Sequence, residues 1–519
     1  MSPVPIYGCR RHLRLWFKAM NASQPIQPMA GSPSLAAEAW RMRLIFSLLS
    51  AAIVATVLLV RAPALLQDPD SWWHIRVGLD MLATRTFPTF DSYSHSFAGQ
   101  PWIAKEWLSQ VLLALAYKSA GWNGVALVIT AAISLMVFLL AWQLGETLKP
   151  TTAIALAVSL ALLSAPVFTA RPHVFTLPII VVWTASLFRA AGAGRPPSFG
   201  LLGLLWLWTN LHASFTLGFV IAAFAGLDIL IRYQLARPRL LAQWCIFGAL
   251  CPLVSLVNPY GLKAILATFA VAGANEAVPL IMEWQPFNAS ANPLSEAALL
   301  LMLLGLLLSG LRFGLARALF ALFALHLYLT HERFVYVFFL LVPLVLAAPV
   351  AEQFPALSIR TWMMEQRDGL ERFLLGQYRR ALAASVALAI GVGVILVGGA
   401  AVEPGQKTSA KDALAFAAQH NLSGPVFNSY DFGGTLIFHG IKTFIDGRTD
   451  QLFLNGFTQA NDATGRSTGK PLLETQLRKY GIDWALLSAG DSRIPFFDEL
   501  PGWTRAYSDR YAMIYTRSR

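Results

Sequence analysis

The feature that most limits how this chain can fold is a succession of apolar runs, most of them close to the length of a membrane-spanning helix. A helix crosses about 30 Å of hydrocarbon with about 20 residues, and such runs follow one another from residue 44 to residue 401. The predicted spans cover 44–66, 123–143, 152–169, 174–188, 199–211, 213–231, 241–257, 295–310, 315–330, 334–349 and 381–401. The sequence therefore predicts a polytopic α-helical membrane protein with about eleven transmembrane helices.

Charged residues are distributed so unevenly that they divide the chain near residue 402. Residues 403–519 contain 13 Lys and Arg and 12 Asp and Glu, whereas only 13% of the whole chain is charged; a soluble domain has about 25%. We therefore predict a basic cytoplasmic segment (1–43), a transmembrane domain (44–402) and a small water-soluble α/β domain (403–519). The predicted strands of the last domain are 426–428, 435–439, 443–446, 484–488 and 512–516, and its predicted helices lie near 409–420 and 471–480.

The short apolar segment 107–119 decides the predicted topology. Its 13 residues rise only about 20 Å as a helix, which is too short for an ordinary span. If the segment lies against the outer face, most Lys and Arg residues fall on the cytoplasmic side, as the positive-inside rule requires. The C-terminal domain is then extracytoplasmic. The net charge of +12 is accordingly a topology signal and predicts no nucleic-acid partner, and three cysteines are too few for a disulfide framework.

The first predicted span is followed by an unusual polar segment on the outer face. The long outer loop 66–122 opens with Asp68, Asp70, Trp72, Trp73 and His74. It later contains Lys105 and Glu106. Carboxylates and a histidine at the membrane edge predict an interfacial site. The Trp pair is equally typical of the aromatic belt that anchors membrane proteins in general.

Further polar residues recur at the outer turns between later spans. They are Arg171, His173, Asn210, His212, Asn258, Tyr260, Glu283, His331 and Arg333. Each alone is typical of a turn or a helix end, but their shared side favours a single cleft. Because a guanidinium makes two parallel charge-assisted bonds to phosphate, Arg171 and Arg333 predict a site for an amphiphile with a phosphate head group. In the C-terminal domain, Asp446 and Arg448 are either functional or a pair that fixes a tight turn.

The order of these motifs resembles the GT-C superfamily of multi-span glycosyltransferases. The chain is most similar to bacterial GT-C-like membrane proteins that share D-x-D-x-W-W-H, R-P-H, W-x-N-x-H, N-P-Y-G and a late D-G-R. These motifs stand here at 68–74, 171–173, 208–212, 258–261 and 446–448. More distantly, the chain resembles the protein O-mannosyltransferases and the aminoarabinose transferases of lipid A. The resemblance covers essentially the whole chain, and its specificity comes from the order of the motifs.

The resemblance implies a glycosyltransferase of the bacterial inner (cytoplasmic) membrane that takes its sugar from a polyprenyl-phosphate donor. The acceptor would be a lipid, glycan or protein of the envelope. Asp70 best matches the catalytic Asp of the family and Asp68 comes second, so Asp70 would take the proton of the acceptor hydroxyl and the transfer would invert the anomeric carbon. Donor phosphate would bind Arg333, Arg171, Lys105 and His331. Candidates for substrate binding are Trp72, Trp73, His74, Glu106, His173, Asn210, His212, Asn258, Tyr260, Glu283, Asp446 and Arg448.

A divalent metal and three other functions remain open at this level. Some GT-C enzymes need a metal, and Asp68, Asp70 and His74 are a minimal ligand set for Mg or Mn. A transporter or flippase for a lipid-linked sugar would place its polar residues near the middle of the bilayer, often in repeated halves, and neither pattern is present. An O-antigen-ligase-like enzyme would not require the early Asp-Pro-Asp loop. A non-catalytic scaffold in envelope assembly is the last alternative.

Overall fold

The computed structural model describes residues 33–272, 284–364, 369–397, 402–449, 451–453 and 456–518. Most of the predicted basic segment 1–43 and the predicted substrate residue Glu283 therefore lie outside the described residues. We call residues 66–122 the first loop, residues 44–402 the membrane domain and residues 403–519 the tail.

The membrane domain consists of α-helices joined by short turns. Several of them begin with a proline in the first turn, where the missing N–H is not needed for helical hydrogen bonding. The helices are α1 (Pro33–Val60), α2 (Ala62–Leu65), α3 (Asp70–Thr84), α4 (Trp107–Leu144), α5 (Pro150–Leu163), α6 (Leu177–Gly192), α7 (Leu201–Leu211), α8 (Thr216–Tyr233), α9 (Pro238–Ser255), α10 (Leu262–Ala272), α11 (Pro293–Ser309), α12 (Leu315–Thr330), α13 (Val335–Gln353), α14 (Ile359–Met364) and α15 (Gly369–Val397).

Every predicted span coincides with a helix of the described chain. Seven helical segments are long and apolar enough to cross a membrane, and they are Ala39–Val60, Trp107–Leu144, Pro172–Gly192, Ala213–Ala236, Pro238–Ser255, Glu332–Gln353 and Gly376–Ile395. Four shorter apolar helices, α5, α7, α11 and α12, match the remaining predicted spans. The fold prediction is confirmed: the chain is a multi-pass membrane protein with a small strand-containing C-terminal domain. The first helix starts at Pro33, earlier than the predicted start at 44.

Helix α4 contains the break that the topology prediction requires. Ala120 and Gly121 have non-helical backbone angles, so α4 is two helices joined by a kink. In the first half, Trp107 Nε1 donates to Asn210 Oδ1 at the end of α7, 2.8 Å away. At the other end, the Tyr117 ring packs on Phe438 of the tail, with ring centroids 5.4 Å apart. The first half of α4 is therefore held by contacts at both of its ends, and the non-crossing arrangement of this segment stays a prediction.

The core of the membrane domain surrounds α13. All residues from Val335 to Val342 are buried, and they belong to a continuous apolar cluster that includes buried side chains of α4, α6, α7, α8 and α12. Burial on every side of a helix is expected for a segment that packs inside a bundle and not against lipid. By contrast, leucines of α11, such as Leu300, Leu307 and Leu308, are exposed. Exposed leucines on a spanning helix are the surface that faces lipid.

The tail contains a four-stranded sheet covered by short helices. Its strands are β1 (Val426–Asn428), β2 (Trp484–Ser488), β3 (Trp503–Ser508) and β4 (Ala512–Arg517), and its helices are α16 (Gln406–Ser409), α17 (Lys411–Gln419), α18 (Gly433–Phe438), α19 (Phe457–Ala463), α20 (Lys470–Lys479) and α21 (Ile494–Glu499). The strand order is β1-β2-β4-β3. Strands β1 and β2 are parallel, whereas β4 is antiparallel to both of its neighbours. The α/β prediction for the tail is confirmed.

Two of the five predicted tail strands are wrong, and one strand was missed. Residues 435–439 lie mostly in helix α18, and residues 443–446 form only one isolated bridge, from Thr443 to Ser94 of the first loop. Both segments are short apolar runs, and in such runs burial, not strand formation, explains the composition. Strand β3 was missed because its burial pattern is largely exposed, so it lacks the apolar alternation that marks a half-buried strand.

The first loop and the tail are joined by backbone hydrogen bonds. His95 N donates to Thr443 O (3.0 Å), and Thr443 N donates to Tyr93 O (3.1 Å). The Gln451 side chain bridges the backbone of Ile103 in both directions, at 3.1 and 3.2 Å. These contacts hold the tail over the first loop, and they create the cavity described next.

Candidate active site

A cavity of about 1130 Å³ lies where the first loop, several helix ends of the membrane domain and the tail meet. It brings together many of the residues predicted from the sequence. Those that line it are Asp68, Asp70, Trp73, His74, Lys105, Glu106, Arg171, His173, His212, His331 and Arg333. The predicted carboxylate at position 70 and the predicted cation at position 333 therefore share one cavity.

The polar residues supplied by later helices sit at a recurring structural element. In each case a short 3-10 turn precedes an α-helix: Pro172–Thr176 before α6, Ala213–Phe215 before α8 and Glu332–Phe334 before α13. Arg171 and His212 are the residues directly before two of these turns, and Arg333 is inside the third. At each of these turns the chain changes direction before the long helix begins, and the polar side chain at the junction lines the cavity. Three separate helices thus contribute to one site.

Asp68 and Asp70 form a carboxylate pair bridged by Arg171. Arg171 Nε lies 2.6 Å from Asp68 Oδ2, and Arg171 Nη2 contacts Asp70 Oδ2. The backbone N–H of Asp70 also donates to Asp68 Oδ1 (2.9 Å), which closes the Asp-Pro-Asp turn at the start of α3. Asp70 is only 7% exposed. The guanidinium thus joins the two carboxylates in one charge-assisted hydrogen-bonded cluster.

Two further residues fix the Asp70 side chain. Trp73 Nε1 donates to Asp70 Oδ1 at 3.0 Å, one turn along α3. From the tail, Gly447 approaches so closely that a Cβ on it would lie 1.7 Å from Asp70 Oδ1. Both oxygens of Asp70 are therefore held in place, and the tail packs directly against this carboxylate.

Glu106 lies between two buried histidines. His212 Nε2 is 3.2 Å from Glu106 Oε1, and His74 Nε2 is 3.8 Å from Glu106 Oε2. The backbone N–H of Ser214 donates to His212 Nδ1 (3.1 Å), so the proton of a neutral His212 is on Nε2, facing Glu106. Burial lowers the pKa of His74 well below its ordinary value of 6.5, and nearby Arg171 acts in the same direction. Burial, with His173 nearby, also lowers the pKa of His212. Both imidazoles are neutral at neutral pH.

Arg333 and Lys105 are the remaining cationic side chains of the membrane-domain part of the wall. The Arg333 guanidinium stacks over the Trp284 ring, 4.5 Å from its centroid. His331 Nδ1 donates to Trp284 O (2.9 Å), which holds the same tryptophan. An arginine stacked on an indole is pre-oriented and keeps its donor edge available for a planar anion.

The tail supplies cavity residues that the sequence did not predict. They include Tyr430, Asp431, Asn461, Asp462, Asp491, Ser492 and Arg493. Arg493 binds both oxygens of Asp491 (2.7 and 2.5 Å) and also donates to Asn461 Oδ1 (2.9 Å). Although burial opposes it, the Arg493 guanidinium lowers the pKa of Asp491. These residues are scattered over surface loops of the tail, so only the alternating charges of Asp-Ser-Arg at 491–493 could have signalled them.

Other predicted residues lie outside the cavity lining. Trp72 is buried against Trp122, with ring centroids 4.4 Å apart. The Asn258 side chain donates to the backbone of Ser255 (2.8 Å) and Gly261 (3.1 Å), so it closes a turn. Asn210 binds Trp107, as described above. These three side chains support the site from behind and do not line it.

Tyr260 has a similar supporting position. Its hydroxyl donates to Pro88 O and accepts from Ala104 N, both at 3.1 Å, and it thereby links two segments of the first loop. Burial raises the pKa of Tyr260 to about 12. The side chain therefore orders the first loop next to Lys105 and Glu106.

Asp446 and Arg448 form a buried ion cluster instead of lining the cavity. Arg448 binds both oxygens of Asp446 (2.8 and 2.7 Å) and contacts Asp91 of the first loop. All three side chains are buried. Although burial opposes it, the two carboxylates raise the pKa of Arg448. Of the two interpretations of the Asp-Gly-Arg motif, the fixed pair is the one observed, with the added partner Asp91 joining the tail to the first loop.

The predicted metal ligands do not form a suitable donor set. Asp68 and Asp70 bind Arg171, and Gln110 Nε2 donates to His74 Nδ1 (3.2 Å). Within the described ranges, no three His, Cys, Asp or Glu side chains are grouped to bind one metal ion. The residues present therefore do not fit Mg or Mn bound at Asp68, Asp70 and His74.

Comparison with known proteins gives matches only among solved structures. No family model matches the chain, and no curated protein matches it. The chain is similar to the oligosaccharyltransferase of Archaeoglobus fulgidus in the apo form, with 11% identity, a TM-score of 0.47, and coverage of 91% of this chain and 74% of that one. It is also similar to ArnT from Cupriavidus metallidurans. The apo structure has 16% identity, a TM-score of 0.46, and coverage of 92% and 98%.

A second ArnT structure, bound to undecaprenyl phosphate, has 13% identity, a TM-score of 0.45, and coverage of 90% and 97%. Because all three TM-scores are below 0.5, these similarities assign no function and no residue roles to this chain.

Proposed function

We propose that this protein is an inverting glycosyltransferase that moves a sugar from a polyprenyl-phosphate donor to an acceptor of the cell envelope, at the outer face of the inner membrane. The observation that carries the proposal is the shared cavity: it combines the Asp68–Asp70 pair, which could accept a proton, with Arg333 and Lys105, which could neutralise a phosphate. Transfer from a sugar phosphate requires both kinds of group.

The reaction would proceed as one displacement. The acceptor hydroxyl oxygen bonds to the anomeric carbon while the bond from that carbon to the phosphate oxygen breaks, and polyprenyl phosphate leaves with the electron pair. The hydroxyl proton passes to the carboxylate of Asp70. Arg333 and Lys105 stabilise the negative charge on the departing phosphate.

Arg171 would couple donor binding to the availability of the base. Without donor, its nitrogens bind Asp68 and Asp70. A donor phosphate that competes for Arg171 would weaken the contact to Asp70. The carboxylate of Asp70 would then be able to accept a hydrogen bond from the acceptor hydroxyl when the donor is in place.

The position of the cavity supports an enzyme over a transporter. The cavity lies between helix ends and the tail, whereas a transporter binds its substrate near the middle of the bilayer. A lipid-linked donor could reach this level with its prenyl chain in the membrane and its phosphate at the interface. The undecaprenyl phosphate in one ArnT structure suggests that lipid as the first donor carrier to test.

The decisive experiment measures donor turnover by the full-length protein in vesicles. Undecaprenyl-phosphate sugars are supplied together with an envelope extract as acceptor, and the released undecaprenyl phosphate is quantified. Wild type should release it, and Asp70→Asn should lower the rate by about 10² or more, since that is the contribution of a general base. Asp412→Asn, on an exposed part of the tail, is the control. Equal rates for wild type and Asp70→Asn at equal protein level would remove Asp70 from the mechanism.

A further inference from the structure

The two sides of the cavity differ in charge. The part contributed by the membrane domain has Lys105, Arg171 and Arg333 facing four acids. The part contributed by the tail has three acids and one base among its described residues, and that base, Arg493, is bound by Asp491 on both oxygens. Asp431 is the carboxylate left without a cation in this lining, whereas Asp462 also forms an exposed ion pair with Arg466 (3.4 Å), which lies outside the lining. An anion is therefore repelled more strongly from the tail side than from the membrane-domain side, where three cations offset all but one of the acids.

The tail side is also rich in groups that suit hydroxyl recognition. We call the side chains of Tyr430, Asp431, Asn461, Asp462, Ser492 and Arg493 the tail wall. Asn461 is fixed through its oxygen by Arg493, which leaves its amide N–H groups as donors, and the carboxylates are acceptors. A sugar hydroxyl is both donor and acceptor, and a tyrosine ring offers a flat apolar surface to the sugar face.

Asp431 is the residue of the tail wall that is best placed to bind a ligand. It is exposed to the cavity, and it receives no hydrogen bond from the part of the chain that the structure describes. Partial loss of hydration raises its pKa, with the Asp491 carboxylate acting in the same direction and Lys407 opposing. Such a carboxylate is stabilised by hydroxyl groups that donate hydrogen bonds to it, and it repels a second anion.

We propose that the tail wall is the acceptor subsite and that it takes a neutral, hydroxyl-rich glycan in preference to an acceptor that carries phosphate. The inference rests on the proposed function, because it assigns the donor phosphate to the opposite side of the same cavity. Repulsion by Asp431 disfavours a phosphorylated acceptor and also opposes binding of the donor in the reverse orientation.

The test measures binding, so that it does not depend on turnover. Full-length protein in nanodiscs is applied to an array that pairs neutral oligosaccharides with the same oligosaccharides carrying one phosphate. Wild type should bind the neutral member of each pair more strongly. The double variant Asp431→Lys/Asp462→Lys should shift the ratio of neutral to phosphorylated binding by about tenfold or more toward the phosphorylated member, because two repulsive charges become attractive.

Two further variants separate this outcome from a folding defect. Asp431→Asn/Asp462→Asn keeps the shape of the wall and should move the ratio in the same direction, but less. Glu474→Lys, on α20 outside the cavity lining, should leave the ratio unchanged. The thermal unfolding midpoint of each variant is measured in parallel.

The results distinguish the two proposals. Stronger wild-type binding to the phosphorylated glycans, an unchanged ratio in the lysine double variant, or binding to none of the glycans while donor turnover is intact would overturn the acceptor assignment alone. Absence of protein-dependent release of undecaprenyl phosphate would instead overturn the proposed function.

Discussion

Gly447 of the tail lies directly against the carboxylate of Asp70 in the first loop. A Cβ at this glycine would fall 1.7 Å from Asp70 Oδ1 and 2.8 Å from Trp73 Nε1. Gly434, at the start of α18, makes a similar approach, since a Cβ there would fall 2.0 Å from Pro69 O. The Asp-Pro-Asp turn is therefore in contact with the tail at two points. The geometry of the proposed base depends on the seating of a separate domain.

Gly447→Ala should abolish the close approach at Asp70. The added methyl group requires either the carboxylate or the tail loop to move, and overpacking of this kind costs about 1–3 kcal/mol. We expect the transfer rate to fall at least tenfold while the protein still folds, measured as donor turnover at equal protein level. Gly203→Ala is the matched control, because no atom lies within 4 Å of a Cβ at that position. Unchanged turnover in Gly447→Ala would show that this contact does not position Asp70.

Arg448→Ala should detach the tail from the first loop. It leaves Asp91 and Asp446 buried without their cation, and removal of one partner from a buried ion cluster costs about 3–5 kcal/mol. The expected result is a lower unfolding temperature in detergent and faster proteolysis at the junction of the tail. Arg466→Ala, which removes an exposed pair with Asp462, should change neither. Equal protease resistance in Arg448→Ala and wild type would contradict the structural role of the cluster.

The positions of the helices were predictable because the bilayer fixes the length of each apolar run. The residues Asp70, Arg171, His212 and Arg333 were also found from the sequence, since polar groups next to spans are few and each falls at a turn on one side. Chain order alone thus placed them on the same face, and the folded chain brings them to one cavity.

The sequence could not predict how the tail packs on the first loop and which of its residues line the cavity. Asp446 and Arg448 looked equally suited to binding and to structure, and only the buried partner Asp91, 357 positions away in the chain, decides between them. Asp431 and Arg493 were missed because surface loops of a soluble domain contain many charged residues. Their significance arises from the docking of two domains, and no local pattern encodes it.

The two buried histidines make stability depend on pH. In the folded protein the pKa of His74 and of His212 is lowered well below 6.5, so below that pH the unfolded chain binds more protons than the folded one. These groups have no effect on the free energy of unfolding well above pH 6.5, and they destabilise the fold progressively as the pH falls below 6.5. His212→Gln should reduce the slope of unfolding free energy against pH in that acidic range. An identical slope in wild type and variant would contradict a neutral buried His212.

Arg333→Lys tests whether a planar guanidinium is needed for the donor phosphate. Lysine keeps the charge but loses the paired donors and the stacking on Trp284, so the substitution is not conservative at such a site. We expect the KM for undecaprenyl-phosphate sugar to rise about tenfold, since one charge-assisted hydrogen bond is worth about 1.5–3 kcal/mol, and we expect a smaller change in kcat. Arg312→Lys is the control, because Arg312 lies at the opposite end of α12 and its backbone contacts Gln353. A normal KM in Arg333→Lys would leave Lys105 as the main phosphate ligand, and Lys105→Gln would then have to show the larger rise.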